Sequence, residues 1–167
     1  MRAATTLPVI VKLSPGAIDV AEVAQAVEEA GADAVSLINT LVGMTIDVRR
    51  RKPVLANGTG GLSGPAVKPV AVRMVYQVAG AVQIPVIGLG GIATFNDALE
   101  FFMAGASAVQ IGTAVFVHPN LLIDVIDQLP IWLERQGCAS LDEIVGAANS
   151  RYHARRGIEI PGVASGR

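Results

Sequence analysis

Short apolar runs alternate with amphipathic segments along this chain. Pro8-Val9-Ile10-Val11-Lys12-Leu13, Ala34-Val35-Ser36-Leu37-Ile38, Pro85-Val86-Ile87-Gly88-Leu89 and Ala108-Val109-Gln110-Ile111 are rich in Val and Ile and bounded by Pro, Gly or Asn. Runs of this length and composition predict buried strands of a parallel sheet. Between the first two, Asp19 is placed to cap a helix reaching about Ala30, with Val20, Val23, Ala24 and Val27 on one face and Gly31 as its stop. Further helices are predicted over residues 65–82, over 96–104 with an opening near Thr94, over 120–136, and in a short stretch over 141–148. Residues 41–64 read as a long irregular loop carrying the basic run Arg49-Arg50-Arg51-Lys52, and loops of that length are usually functional or disordered. The polar, Arg-rich residues 150–167 read as a poorly ordered tail, separate from a domain over 1–149.

Strands alternating with helices indicate an α/β fold with right-handed crossovers. The chain also repeats itself. Ala30-Gly31-Ala32-Asp33-Ala34-Val35-Ser36-Leu37-Ile38-Asn39-Thr40 is echoed by Ala104-Gly105-Ala106-Ser107-Ala108-Val109-Gln110-Ile111-Gly112-Thr113, and Pro8-Val9-Ile10 by Pro85-Val86-Ile87. A βαβα unit that occurs twice is the periodicity of a (β/α)8 TIM barrel. Four βα units make half of one, since a complete barrel takes about 250 residues. Such a half leaves both sheet edges unpaired, so the chain is expected to be a fragment or to pair with another half.

Composition narrows the function classes. Of 167 residues, 51% are hydrophobic and 16% charged, with a net charge of -1, so nothing electrostatic favours a nucleic-acid partner or an anionic membrane. A single cysteine, Cys138, rules out a disulfide or multi-cysteine metal site within these residues and fits a cytoplasmic setting. No apolar run is long enough for a transmembrane helix, and the first residues lack a signal-peptide core.

Active groups of a barrel lie at the carboxyl ends of its strands. Those ends carry Lys12, Asn39-Thr40, Gly90-Gly91 and Gly112-Thr113. Glycine backbone N–H groups beside a helix start make a seat for a phosphate, and the last two strands of a barrel are its usual place. Lys12, inside an apolar run, is either a lysine snorkelling into water or a cation facing an anion or an electron-rich ring. Asn39 and Thr40 suit a polar planar ligand or a plain turn. His118 lacks an evident partner, His153 falls in the tail, and Asp97, Glu100, Glu28 and Glu29 read as helix-surface carboxylates. No catalytic triad, carboxylate pair or metal constellation emerges.

Several motifs then coincide with one family. Val11-Lys12-Leu13-Ser14-Pro15, Ile38-Asn39-Thr40, the block from Leu55-Ala56-Asn57-Gly58-Thr59-Gly60-Gly61 through Leu62-Ser63-Gly64-Pro65-Ala66-Val67-Lys68-Pro69, Gly88-Leu89-Gly90-Gly91 and Ile111-Gly112-Thr113 resemble the FMN barrel subunit of class 1B dihydroorotate dehydrogenase, in order and spacing. The resemblance runs over about residues 2–148 and implies the C-terminal half of an FMN-binding TIM barrel that oxidises dihydroorotate to orotate in pyrimidine biosynthesis. It implies FMN contacts at Lys12, Ile38, Gly64, Gly90, Gly91, Gly112 and Thr113, and orotate contacts at Asn39 and Thr40. It implies no catalytic residue in this chain, because the family's cysteine base belongs to the first half and Cys138 does not match it. It further implies a partner subunit carrying FAD and an iron–sulfur cluster that passes electrons to NAD, and a homodimer or heterotetramer in the intact enzyme. The alternatives are another phosphate- or FMN-binding barrel enzyme, such as a dihydropyrimidine dehydrogenase-like reductase, and a non-catalytic half-barrel remnant.

Overall fold

The computed structural model describes residues 2–158. Four parallel strands form one sheet: β1 (Ile10–Lys12), β2 (Ala34–Leu37), and, after an excursion, β7 (Val86–Leu89) and β8 (Ala108–Gln110), in the order β1-β2-β7-β8. Helix α1 (Val20–Glu29) joins β1 to β2, α2 (Lys68–Ala79) precedes β7, α3 (Phe95–Ala104) joins β7 to β8, and α4 (Leu121–Gln136) follows β8. Each predicted strand and each of the four main helices is present, with ends moved by a few residues. In place of one helix over residues 65–82 there is a 3-10 turn (Pro65–Val67) running into α2, and 141–148 holds only a 3-10 turn (Leu141–Glu143) rather than a helix.

The helix starts follow their capping chemistry. The Asp19 carboxylate accepts from the backbone N–H groups of Ala21 and Glu22 at the head of α1. At α3, Thr94 Oγ1 accepts from Asp97 N while Asp97 Oδ2 accepts from Thr94 N, a reciprocal capping box. The core lies between sheet and helices, where Val35 and Leu37 of β2 meet Ala71, Val75 and Val78 of α2 and Phe101 of α3, all fully buried. The central strand β2 is buried at every position, whereas β1 and β8, the two edges, are mostly exposed.

Strand registers carry the barrel geometry. Ile10 is level with Ala34, and Val35 with Val86, so Ile10 lies level with Pro85 two strands away. Its counterpart in the repeat is Ile87, two residues further along. An advance of two residues for every two strands accumulates to a shear of eight over eight strands, the value of the TIM barrel. The sheet is therefore half of such a barrel in register as well as in strand count.

Two readings of the sequence are corrected here. Residues 41–64 are not irregular: β3 (Leu41–Gly43) pairs antiparallel with β6 (Gly60–Leu62), and nested within them β4 (Ile46–Asp47) pairs with β5 (Lys52–Pro53), with the basic run at the exposed tip. Strands of two or three residues are too short to show an alternation. The tail reading fails over its first part: Ser150–Arg156 form helix α5, capped by Asn149, with Tyr152 and His153 buried. Asn149 is itself fully buried; its Nδ2 donates to the carbonyls of Tyr76 and Ala104, and its Oδ1 accepts from Tyr152 N. Arg156 donates to the Gln83 carbonyl and lies 4.5 Å over the Tyr152 ring. These anchors join residues far apart in sequence, so no local pattern announces them. Residues 159–167 of the expected tail lie outside the described residues. Asn149→Ala removes a cap and leaves the buried Ala104 carbonyl unpaired, while the Tyr76 carbonyl keeps its bond from Gly80 N, and is expected to lower stability by about 2 kcal/mol in urea unfolding.

Candidate functional site

The carboxyl ends of the four strands open into one cleft of about 270 Å³. Lys12 closes β1, Ile38-Asn39-Thr40 follow β2, Gly90 and Gly91 follow β7, and Gly112 and Thr113 follow β8; Gly64 reaches the same cleft from the turn before α2. All nine residues singled out from the sequence line it. Leu62, Ser63, Val67, Leu89, Ile92, Gln110 and Ile111 complete the lining and were not singled out. Gln110 had a readable signal, a polar side chain within an apolar strand; Ser63 lay inside a recognised motif without a role.

The glycines shape the wall. Gly91 has φ +80, and a Cβ there would lie 2.7 Å from the Gly64 carbonyl oxygen, 2.8 Å from Lys68 N and 2.9 Å from Lys68 Cβ, so the β7 end and the head of α2 meet backbone to backbone. Gly61 in β6 abuts the side chain of Thr40, which a Cβ would displace. By contrast, Gly64 and Gly112 have open space where a side chain would stand. The N–H groups of Gly91, Gly112 and Thr113 donate to no acceptor among the described residues, and a 3-10 turn (Thr113–Phe116) begins at this edge. Unpaired N–H groups on a concave, side-chain-free wall are the chemistry of an anion seat.

The polar side chains divide by location. Lys12 is exposed rather than buried in its apolar run, because β1 is an edge strand, and it makes no hydrogen bond or ion pair among the described residues. Asn39 Oδ1 accepts from Thr40 N at 2.9 Å, which holds this short strand-end turn together. Ile38 is buried and donates its N–H to the Leu89 carbonyl, tying the β2 end to the β7 end.

Behind the cleft, Lys68 Nζ donates to Asp97 Oδ1 and Glu100 Oε1, each at 2.6 Å. Asp97 and Glu100, read from sequence as plain surface carboxylates, therefore bind the head of α2 to the head of α3, on either side of Gly91. The hydrogen bonds that Lys68 donates to Asp97 and Glu100 raise its pKa above the ordinary value. Burial pushes the Asp97 carboxyl up, but the bonds from Lys68, the Ala93 N–H and Thr94 outweigh it, and the net shift is downward. A lowered native pKa stabilises the fold above the ordinary carboxylate value and ceases to do so as pH falls through the native value. Asp97→Ala is thus expected to lower stability by about 2 kcal/mol near neutrality, with the gap to the parent chain closing in acid. Urea midpoints across a pH series check this.

The remaining residues stand apart from the cleft. His118, expected to lack a partner, meets Asp124 through Nε2 at the head of α4, both largely exposed. Glu28 accepts from the N–H groups of Gln83 and Ile84 and so fastens α1 to the turn before β7. His153 is buried in α5, with neither ring nitrogen hydrogen-bonded among the described residues. Cys138 is half-buried beyond α4. No group of three or more His, Cys, Asp or Glu among the described residues is arranged to hold a metal ion.

A family model described as dihydroorotate dehydrogenase matches residues 1–133, four-fifths of the chain. The chain belongs to the dihydroorotate dehydrogenase family. Among curated relatives, the protein named dihydroorotate dehydrogenase B (NAD(+)), catalytic subunit, from Bacteroides thetaiotaomicron is 60% identical over 147 residues, which are 88% of this chain and 48% of that protein. Proteins of the same name from Pelobacter propionicus (60% over 146 residues, 87% and 48%) and Halalkalibacterium halodurans (57% over 144 residues, 86% and 47%) match similarly. The chain spans about half the length of the curated relatives it matches. The family match covers β1 through most of α4, and so includes every residue lining the cleft.

Proposed function

We propose that the cleft is the FMN- and orotate-holding half of a dihydroorotate dehydrogenase active site, in an enzyme that oxidises dihydroorotate to orotate for pyrimidine biosynthesis. One observation carries the reading: an unpartnered lysine, a polar strand-end pair and two glycine-lined strand ends converge on one concave surface, in a chain of this family. The donor set fits FMN. The N–H groups of Gly91, Gly112 and Thr113, with the open walls at Gly64 and Gly112, accept a dianionic phosphate. Ile38 and Gly90 supply apolar and close-approach surface for a flat ring system.

FMN, when bound, supplies the acceptor for the hydride leaving dihydroorotate. The residues of this chain bind, orient and compensate charge. Lys12, free of internal partners, places its ammonium at the β1 end to offset negative charge that develops in the cleft. Asn39 and Thr40 offer an amide and a hydroxyl, donors and acceptors suited to a planar carboxylated pyrimidine. The resemblance to the family assigns the proton abstracted from the substrate to a cysteine base outside this chain, and no cysteine is among the cleft-lining residues.

The relatives' name, a catalytic subunit of an NAD(+) enzyme, supports a further subunit that accepts the electrons. We take that subunit to carry FAD and an iron–sulfur cluster, and the intact enzyme to be a cytoplasmic homodimer or heterotetramer. Among the described residues no helix is long and apolar enough to cross a membrane.

The test is to co-express this chain with the unmatched half of the Bacteroides relative. A yellow complex that bleaches on dihydroorotate and recovers on reoxidation is expected. A folded complex that binds no flavin overturns the reading. One that binds flavin but is reduced only in the presence of a reduced nicotinamide, and then reduces uracil, points to the reductase alternative.

A further inference from the structure

We propose that the isolated chain closes its barrel with a second copy of itself, β8 of each copy pairing in parallel with β1 of the other about a two-fold axis along the barrel. The occupant of the open edges follows from the repeat. Within the chain, the last strand of the first repeat, β2, pairs with the first strand of the second, β7, through Val35 opposite Val86. The echo places Val109 of β8 where β2 has Val35, and Val9 before β1 where β7 has Val86. The two exposed edges therefore carry strands that echo, at Ala108-Val109 and at Pro8-Val9-Ile10, the two that already pair once in the middle of the sheet. A Val109–Val9 junction between copies repeats a junction this sequence makes with itself.

Register closes the ring. Ile10 lies level with Ala34, Pro85 and Ala106 across the four strands. Pairing Val109 with Val9 of the second copy puts Gln110 opposite Ile10, four residues beyond Ala106. Four residues for each copy is half the shear of eight that a closed eight-stranded barrel requires. An arbitrary edge-to-edge dimer has no reason to meet this condition.

The helix layer has matching faces. The junction would set α4 against α1 of the second copy, as α2 lies against α3 within the chain. Ile123 and Ile126 of α4 and Val23 of α1 are exposed by 58%, 66% and 41%, an apolar pair of faces with nothing upon them among the described residues. Closure also pairs and covers the edge strands, whose unpaired N–H and C=O groups are otherwise a liability. It brings Lys12 of the second copy beside Gly112 and Thr113 of the first, as the β2 end lies beside Gly90 and Gly91 within one chain. The proposal rests on the fold and the repeat, not on the flavin reading.

The test uses the full chain in a Cys138→Ser background. Sedimentation is expected to give twice the chain mass of 17.2 kDa. Val9→Cys combined with Val109→Cys is then expected to form two disulfides per dimer under mild oxidation, since paired strands bring these positions within disulfide reach. In one chain the two cysteines lie three strand spacings apart, about 14 Å across the sheet, and four residues out of level along it, too far to join. Val9→Cys with Ser107→Cys, two residues out of register, is expected to cross-link at least tenfold more slowly. A folded monomer overturns the proposal, as does a dimer in which both cysteine pairs react alike or not at all. A monomer that forms a one-to-one complex only with the unmatched half of the Bacteroides relative overturns it too, and assigns the edges to that half.

Discussion

Gly91→Ala is expected to lower the stability of the fold by about 3 kcal/mol and to abolish measurable anion or flavin binding. Two effects add. An L-residue at φ +80 costs about 1–2 kcal/mol in the left-handed region, and the new methyl overpacks a closed contact, typically 1–3 kcal/mol. The atoms it meets are the Gly64 carbonyl oxygen and the backbone nitrogen and Cβ of Lys68, not the far end of a flexible side chain. Lys68 is in turn held by Asp97 and Glu100, so the head of α2 cannot withdraw without breaking that ion-paired clamp. Urea unfolding should show a lower midpoint at unchanged slope, and FMN titration no saturable signal. Gly112→Ala is the informative contrast. Its φ is -111 and no atom lies within 4 Å of the added Cβ, so stability is expected to stay within about 0.5 kcal/mol while binding weakens. If Gly112→Ala binds as the parent does, the β8 end is not part of the seat.

Lys12→Met is expected to reverse that balance, with stability nearly unchanged and turnover in the co-expressed enzyme down about 100-fold. Lys12 is exposed on an edge strand and holds no partner, so its removal leaves no buried charge or broken bond and costs under about 0.5 kcal/mol. Removing a cation positioned where charge develops typically costs about 3 kcal/mol of barrier. Single-turnover bleaching by dihydroorotate separates the two readings of this residue. A slow bleach with normal unfolding makes Lys12 part of the site; a normal bleach makes it a lysine reaching for water.

Much of the fold was legible because its signals are local. Val- and Ile-rich runs bounded by Pro and Gly gave the four strands, and Asp19 and Thr94 gave two helix starts through caps that act within three residues. The clustering of Lys12, Asn39, Thr40, Gly90, Gly91, Gly112 and Thr113 was legible because a parallel sheet gathers every strand's carboxyl end on one side, whereas Ile38 and Gly64 came only from the family's motifs. What escaped reading is non-local or too short. The nested β3–β6 and β4–β5 ladders consist of two- and three-residue strands whose pairing partners are set by the turn over residues 48–51 and not by any period. Helix α5 has an apolar face of one turn, and the contacts that hold it reach to Tyr76, Gln83 and Ala104 through Asn149 and Arg156. Asp97 and Glu100 looked like solvated carboxylates because Lys68 lies on another helix.

By itself, then, the sequence determined strand and helix identity, the repeat, and the strand-end residues bound for the cleft, since propensity, capping and side-chain period act along the chain. Only the tertiary structure decided the register that advances two residues per pair of strands, the backbone contact of Gly91 with the head of α2, and the clamp of Lys68 on Asp97 and Glu100. Each of these depends on distances between segments, and a sequence carries no distance until the sheet fixes which strands are neighbours.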